Sequence, residues 1–151
     1  MNNKYYTVCG IVEIESKILL VRHTYGNAKG RILLPGGFVQ ENELPTAAIE
    51  REIFEETNIT AKAKSIIAVQ FKPEQWCAVF MMEYLSGTPR SDGIENSEVL
   101  LLSPEEAVSR NDITNMSREI IKKYLKGYVE LSKSDYIPCS VDRDNYAIFG
   151  V

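Results

Sequence analysis

The hydrophobic and polar positions of the N-terminal third alternate in short blocks that predict β-strands. Residues 5–12 are rich in β-branched and aromatic side chains, and residues 17–22 repeat this pattern after a short polar link. The shortness of the link predicts a hairpin between the two strands. A glycine-containing loop follows, and a brief apolar run, residues 32–34, stops at Pro35-Gly36-Gly37.

Residues 43–57 carry apolar side chains at the helical spacing and predict an α-helix. Pro45 falls in the first turn, where its missing N–H is not needed. Asn58 follows the last turn and can adopt the left-handed conformation that closes a helix. The sequence therefore predicts helix boundaries close to these two residues.

The C-terminal half returns to strand patterns and then to helices. Strands are predicted at 63–71, 77–84 and 98–102, a helix is predicted to start at Ser103, and another to span 115–126. This order predicts an α/β fold with a mixed sheet and helices packed on it, and it leaves the strand order open. No repeat or linker divides the chain. Residues 1–127 are therefore predicted to form one domain, and residues 128–151 an aromatic-rich tail docked on it or on a partner subunit.

Composition limits the partners of the protein. The 151 residues are 44% hydrophobic and 25% charged, which is ordinary for one globular domain. A net charge of −4 provides no general basic field for a nucleic-acid polymer. No apolar stretch approaches the length of a membrane span, and the N-terminus lacks an apolar signal region, so we expect a cytoplasmic protein. Three cysteines without a CxxC pair predict neither a disulfide framework nor a structural zinc site.

Three glutamates of the predicted helix stand out because of their spacing. Glu52, Glu55 and Glu56 fall within an arc of roughly 100°, since positions i, i+3 and i+4 share a helix face. Like charges at this spacing repel by roughly a few tenths of a kcal/mol per pair. Mg²⁺ or Mn²⁺, which prefer oxygen ligands, would remove that repulsion. A solvated acidic face is the alternative interpretation.

The surroundings of the three glutamates favour the metal interpretation. Apolar residues flank the acidic arc, with Ala47 and Phe54 on one side and Ile49 and Ile53 on the other. We therefore expect that the arc does not face bulk solvent. The glycine pair upstream of the helix, at a predicted turn, lets the backbone approach the helix closely.

The segment from Gly37 to Ile59 resembles the Nudix box. Gly37, five residues, Glu43, seven residues and then Arg51-Glu-Ile-Phe-Glu-Glu-Thr-Asn-Ile59 follow the family pattern Gly-x5-Glu-x7-Arg-Glu-U-x-Glu-Glu-x-Gly-U, where U is a bulky aliphatic residue. The one departure is Asn58 in place of the last glycine, and Asn is the residue that best replaces Gly in a left-handed cap. The resemblance implies a Nudix-type α/β/α sandwich.

The resemblance also implies an activity. It is the hydrolysis of a phosphoanhydride bond in a nucleoside diphosphate linked to another moiety, as in an NTP, ADP-ribose or a sugar nucleotide. In Nudix enzymes the Glu-x-x-Glu-Glu carboxylates, here Glu52, Glu55 and Glu56, bind Mg²⁺, with Mn²⁺ as the alternative, and the metal bridges to the diphosphate. Arg51 matches a position that orients the cluster by pairing with a glutamate such as Glu43.

Two further expectations follow from the resemblance. Gly36 and Gly37 belong to the segment that shapes the metal site in the family. Nudix proteins are often dimers, so the resemblance implies a homodimer. It also implies that the substrate is a small nucleotide-type molecule.

Two glutamates are candidates for the general base. Glu98 is the preferred catalytic residue, because it starts a strand after a Gly-rich loop, near where some Nudix proteins supply a further carboxylate; Glu95 is its competitor.

The family often has an aromatic residue two positions before Leu-Pro-Gly-Gly, and here that position is Ile32. His23 is assigned no role. Other residues considered are Tyr25, Phe71 and Trp76 for base stacking, and Arg22, Lys29, Arg31 and Arg90 for phosphate contacts.

Two other functions share the fold that the resemblance implies. A nucleotide-sensing or protein-interaction module usually loses carboxylates from the box, whereas this chain has all three. Isomerase chemistry on an isoprenoid diphosphate calls for a cysteine in the active-site pocket, and Cys9 and Cys77 fall within apolar strand patterns. Hydrolysis is therefore the leading hypothesis.

Overall fold

Within residues 5–135 and 147–151, which the computed structural model describes, the chain forms strands and helices in the predicted order. The strands are β1 (Tyr5–Ile11), β2 (Glu13–Ile14), β3 (Lys17–His23), β4 (Ile32–Leu33), β5 (Gly36–Phe38), β6 (Thr60–Phe71), β7 (Gln75–Ser86), β8 (Asn96–Leu102) and β9 (Leu131–Ser132). The helices are α1 (Pro45–Thr57), α2 (Pro104–Ser109) and α3 (Asn115–Lys126).

The larger sheet is mixed, in agreement with the predicted fold class. Its five strands lie in the order β5-β1-β7-β6-β9. The pair β1–β7 is parallel, whereas β1–β5 and β6–β7 are antiparallel. A tight turn at residues 72–75 joins β6 to β7, with the two N–H···O bonds between Lys72 and Gln75 closing it.

The predicted hairpin between the first two long strands is confirmed only next to its turn, where the Leu19 N–H donates to the Val12 carbonyl at 3.0 Å. β1 pairs with β5 and β7 and lies inside the larger sheet, whereas β3 belongs to a second sheet with β2, β4 and β8. The hairpin instead joins β2 to β3 through Glu15 and Ser16, whose φ angles are 50° and 64°. The physical reason is burial: consecutive side chains of β1, such as Thr7 and Val8, are both buried, and a strand covered on both faces belongs inside a sheet.

The core lies on both faces of the strands. One cluster packs α1 against the larger sheet and contains Ile49, Ile53 and Phe80. The other packs α2 and α3 on the opposite side. Leu19 and Leu20 of β3 belong to different clusters, because successive side chains of a strand point to opposite faces. The strands therefore form a central layer between helices.

The predicted ends of α1 and α3 and the predicted start of α2 agree with the structure. α1 begins at Pro45, and Asn58 closes it in the left-handed conformation with φ 61° and ψ 19°. The Ser103 hydroxyl accepts the N–H of Glu106 at 3.2 Å and caps α2. α3 spans Asn115–Lys126, as predicted. The Asn58 side chain has an additional partner, since its amide donates to the Thr88 carbonyl at 3.1 Å.

The described part of the C-terminal tail lies against the larger sheet. β9 pairs with β6, with Leu131 opposite Ile66. The Phe149 ring packs edge-on to Phe80, with 6.0 Å between the ring centroids. The middle of the predicted tail, including Cys139, falls outside the described residues. No helix in the described ranges is both long and apolar enough to cross a membrane.

Candidate active site

The three glutamates of α1 lie at the border between core and surface. Glu52 and Glu56 are buried, whereas the Glu55 side chain is 55% exposed. Of the two apolar flanks expected from the sequence, only one is buried. Ile49 and Ile53 are in the core, but Phe54, like Ala47, is exposed. The acidic arc therefore faces a partly enclosed cleft.

The glycine pair packs directly against these carboxylates. It lies in strand β5 rather than in the predicted turn, and the expected close approach to α1 is present. A β-carbon on Gly37 would lie 2.4 Å from the carboxyl carbon of Glu52, and one on Gly36 would lie 2.1 Å from the Val8 carbonyl oxygen. The Gly36 N–H donates to Glu56 Oε2 at 3.1 Å. The backbone contact therefore requires glycine at position 36, whereas a side chain at position 37 would displace the Glu52 carboxylate.

Arg51 ties three glutamates together, including the predicted partner Glu43. Its guanidinium donates to both Glu43 oxygens at 2.8 and 3.0 Å. Nη1 also donates to Glu52 Oε1 at 2.8 Å and to Glu55 Oε2 at 3.0 Å. The bonds between Arg51 and Glu43 lower the pKa of Glu43 below its ordinary value. Arg51 therefore offsets part of the repulsion that the glutamate spacing predicts.

Glu56 is the most enclosed of the three carboxylates. Its side chain is 1% exposed, and Oε1 has no hydrogen-bond partner among the described residues. Burial raises the pKa of Glu56, while His23 and the Gly36 N–H oppose this shift. His23 Nε2 lies 3.7 Å from Oε1. Burial also raises the pKa of Glu52, with Arg51 opposing it.

His23 is a site residue that sequence reasoning missed. The register between β3 and β8 shifts between Arg22 and His23, which marks a β-bulge at the end of the strand. Bulges re-aim side chains at sites of this kind. The imidazole stacks on the Tyr25 ring, with centroids 5.2 Å apart and planes 15° apart. No local sequence signal separates this bulge from regular strand.

His23, the glycine pair and Arg51 line one cleft of about 500 Å³, and the buried Glu56 is not among its lining residues. Its acidic wall is formed by Glu52 and Glu55, with Glu95 contributing a third carboxylate. The other lining groups include the aromatic rings of Tyr25 and Phe38 and the amides Asn27, Gln40 and Gln75. The cleft therefore combines carboxylates with flat and hydrogen-bonding surfaces.

The structure separates the two glutamates considered as general base. Glu95 lines the cleft, whereas Glu98 does not. Glu98 lies on β8 opposite Arg22, and its Oε2 accepts the Arg22 Nε–H at 2.9 Å. Arg22 also pairs with Asp112 at 2.9 Å. Some of the residues considered for substrate contacts do not line this cleft: Phe71 and Trp76 for base stacking, and Arg22, Lys29, Arg31 and Arg90 for phosphate contacts.

The donor set suits a hard divalent cation. Glu52, Glu55 and Glu56 offer carboxylate oxygens, the ligand type that Mg²⁺ and Mn²⁺ prefer, and the buried Glu56 Oε1 has no hydrogen-bond partner in the described part of the chain. Among the described residues, no group of three or more His, Cys, Asp or Glu side chains is arranged so that it could hold a metal ion. Arg51 pairs with both Glu52 and Glu55. A cation would have to take one of these carboxylates from the guanidinium.

Comparison with known proteins agrees with the α/β fold and its mixed sheet. The family model described as NUDIX domain matches residues 4–124. A NUDIX hydrolase from Nitrosomonas europaea has a crystal structure with TM-score 0.76 and 29% identity, covering 83% of this chain and 72% of that one. Because the family match covers most of the sequence, the chain belongs to the NUDIX family.

Two other relatives are named for an activity. An ADP-ribose pyrophosphatase from Methanocaldococcus jannaschii is 43% identical over 68 residues, which make up 45% of this chain and 40% of that protein. This chain thus covers less than half of that relative. The crystal structure of a bifunctional NMN adenylyltransferase/ADP ribose pyrophosphatase from Francisella tularensis, complexed with AMP and a manganese ion, has TM-score 0.71 and 24% identity. It covers 83% of this chain and 42% of that one, and it shows the fold alone.

Proposed function

We propose that this protein hydrolyses a phosphoanhydride bond in a nucleoside diphosphate linked to another moiety, with Mg²⁺ as cofactor and Mn²⁺ as an alternative. One observation carries the proposal: the carboxylates of Glu52 and Glu55 share a cleft with aromatic rings and amides. Carboxylates suit a metal that binds phosphate, and flat or hydrogen-bonding groups suit the organic parts of the substrate. Membership of the NUDIX family supports the same reaction.

Each protein group has a task in this proposal. Glu52, Glu55 and Glu56 would hold the metal, and a bound metal would supply polarisation of the phosphate and activation of a water molecule. Arg51 keeps the Glu52 and Glu55 carboxylates oriented when they are not holding the metal. The backbone N–H of Gly36 fixes Glu56 Oε2, which leaves Oε1 available.

Glu95 is the general base that this geometry favours, and Glu98 is the alternative from the sequence. Glu95 lies in the wall of the cleft, whereas Glu98 is engaged with Arg22. Two matched substitutions test which of these glutamates is the general base. Glu95→Gln should lower kcat by at least about 10²-fold, the lower range for a lost acid–base group. Glu98→Gln should leave kcat within about twofold. The reverse result would assign the base to Glu98.

The charge of the cleft bears on the choice among NTPs, ADP-ribose and sugar nucleotides. Among the described residues, the arginine or lysine that lines the cleft is Arg51, and its guanidinium already makes four contacts to glutamates. A bound metal would neutralise a diphosphate, whereas a third phosphate would find no free arginine or lysine among the described lining residues. The amides Asn27 and Gln40 suit a neutral sugar instead. ADP-ribose or a sugar nucleotide is therefore the proposed substrate class, in keeping with the Methanocaldococcus relative.

The decisive experiment measures product formation from ADP-ribose, sugar nucleotides and NTPs, with Mg²⁺ and with chelator. Glu56→Gln should lose most turnover, and Glu105→Gln, at an exposed position of α2, should keep it. Turnover that survives both chelator and Glu56→Gln would overturn the proposal. Binding without turnover would instead favour a nucleotide-sensing module.

Location and assembly are further parts of the proposal. The thiols of Cys9 and Cys77 are free, which suits a reducing compartment such as the cytoplasm. A homodimer is tested by sedimentation of the purified chain, where a monomer at micromolar concentration would reject it.

A further inference from the structure

Tyr25, in the loop after β3, is a half-exposed aromatic ring that lines the cleft. It is 51% exposed and lines the same space as Glu52. Trp76 and Phe71 are also exposed, but they contact each other at the hairpin of β6 and β7 and do not line this cleft. Phe38 lines the cleft as well, but its ring packs edge-on to Tyr5.

The Tyr25 ring is backed by a second ring. The imidazole of His23 stacks on it nearly in parallel, with a centroid distance of 5.2 Å. This contact covers one face of the phenol. Because half of the side chain is still exposed, the other face is open to the cleft. Such a ring offers a flat partner surface without further rearrangement.

Two hydrogen bonds of Thr24 fix the backbone next to Tyr25. The Thr24 hydroxyl donates to the Ile94 carbonyl at 2.7 Å, and the Thr24 N–H donates to the Glu95 carbonyl at 3.1 Å. These bonds join the Tyr25 loop to the loop that carries Glu95. The ring and the proposed base thus keep a defined relationship.

The chemistry around Tyr25 favours a neutral flat group. Burial and the negative charges of Glu95 and Glu56 raise the pKa of the Tyr25 hydroxyl. An anionic group placed against the ring would meet the same negative charges. Aromatic rings of this kind stack on nucleobases, because every base has a π-face. A phosphate group has no such face.

We propose that Tyr25 is the ring on which the base of the nucleotide substrate stacks. This inference rests on the proposed function for the identity of the ligand. It assigns the outer part of the cleft, beside His23, to the base, and leaves the wall of Glu52 and Glu55 to the phosphates.

The test compares the binding of AMP with that of ribose 5-phosphate, which lacks the base, by calorimetry with Mg²⁺ present. Wild-type protein should bind AMP at least about fivefold more tightly, the lower range for stacking one base on an aromatic ring. Tyr25→Ala should remove this difference, and Tyr25→Phe should keep it. Phe71→Ala, an exposed aromatic outside the cleft, is the matched control and should also keep it. If Tyr25→Ala does not fold, Tyr25→Leu replaces it, with the same expected loss.

The outcomes separate this inference from the proposed function. Equal binding of the two ligands by wild-type protein, or an unchanged preference in Tyr25→Ala, overturns the role of Tyr25 even when turnover is found. A base preference that disappears in Tyr25→Ala supports it even when every substrate in the activity panel stays intact.

Discussion

Gly37 and Glu52 are packed so closely that a β-carbon on the glycine would lie 2.4 Å from the glutamate's carboxyl carbon. Gly37→Ala should therefore displace Glu52 and lower the free energy of unfolding by about 1–3 kcal/mol, the usual range for overpacking. Urea denaturation measures this loss.

The same pair provides its own control. Glu52→Ala removes the atoms that the new methyl group would meet, so the double variant Gly37→Ala/Glu52→Ala should be more stable than the sum of the single changes predicts. Strict additivity of the two effects would show that the clash is not what destabilises Gly37→Ala.

Arg51→Lys should be destabilising although the charge is kept. A lysine presents a point charge, whereas the planar guanidinium contacts Glu43, Glu52 and Glu55 at once. We expect a loss of about 2 kcal/mol in the free energy of unfolding, the range for hydrogen bonds to charged groups. Arg90→Lys, at an exposed position, should change stability by less than about 0.5 kcal/mol. Equal effects at the two sites would contradict the role assigned to Arg51.

Glu56→Gln should stabilise the metal-free protein near neutral pH. Burial raises the pKa of Glu56 in the folded chain above its ordinary value of 4.5. Protonated Glu56 therefore favours folding below the unfolded pKa, and this contribution is lost as the pH rises through the folded pKa. The neutral amide avoids the loss, so its melting temperature should exceed that of wild type by about 2 °C or more at pH 7.

The pH dependence identifies the cause of that stabilisation. The difference between Glu56→Gln and wild type should shrink as the pH falls toward 4.5 and below, where Glu56 is protonated in both states. Thermal melts in chelator from pH 4 to pH 8 measure it, with Glu105→Gln as the exposed control. A difference that stays constant with pH would exclude burial of the charge as its origin.

Asn58 combines a left-handed backbone with a side-chain bond to Thr88. Asn58→Gly keeps the conformation and loses the bond, so it should cost no more than about 1 kcal/mol. Asn58→Ala loses the bond and also takes on the left-handed strain, about 1–2 kcal/mol more. Chemical denaturation ranks the two variants. Alanine equal to glycine would mean that the cap conformation is not required.

Local signals in the sequence were sufficient for the helices. Pro45 and Asn58 act on the backbone next to them, and the start and end of α3 depend on its own residues, so these boundaries could be predicted. The pairing of Arg51 with Glu43 was also predicted, because both lie in one recognisable motif.

Long-range features could not be predicted in the same way. The pairing of β1 with β7 joins segments far apart in sequence, and the alternation of apolar residues does not specify the partner of a strand. The approach of His23 to Glu56 depends on a bulge that arises where β3 meets β8. Likewise, only the folded chain shows that Glu95 lines the cleft and that Glu98 pairs with Arg22.

The interior position of β1 has a consequence for synthesis of the chain. Residue 7 pairs with residue 77, so the first strand stays without this neighbour until β7 has left the ribosome. At about 5–20 residues per second, that interval lasts roughly 4–14 s. During this time β1 is without its β7 partner in the nascent chain. We expect chains truncated before residue 75 to be retained by chaperones, and chains that include β7 to be released.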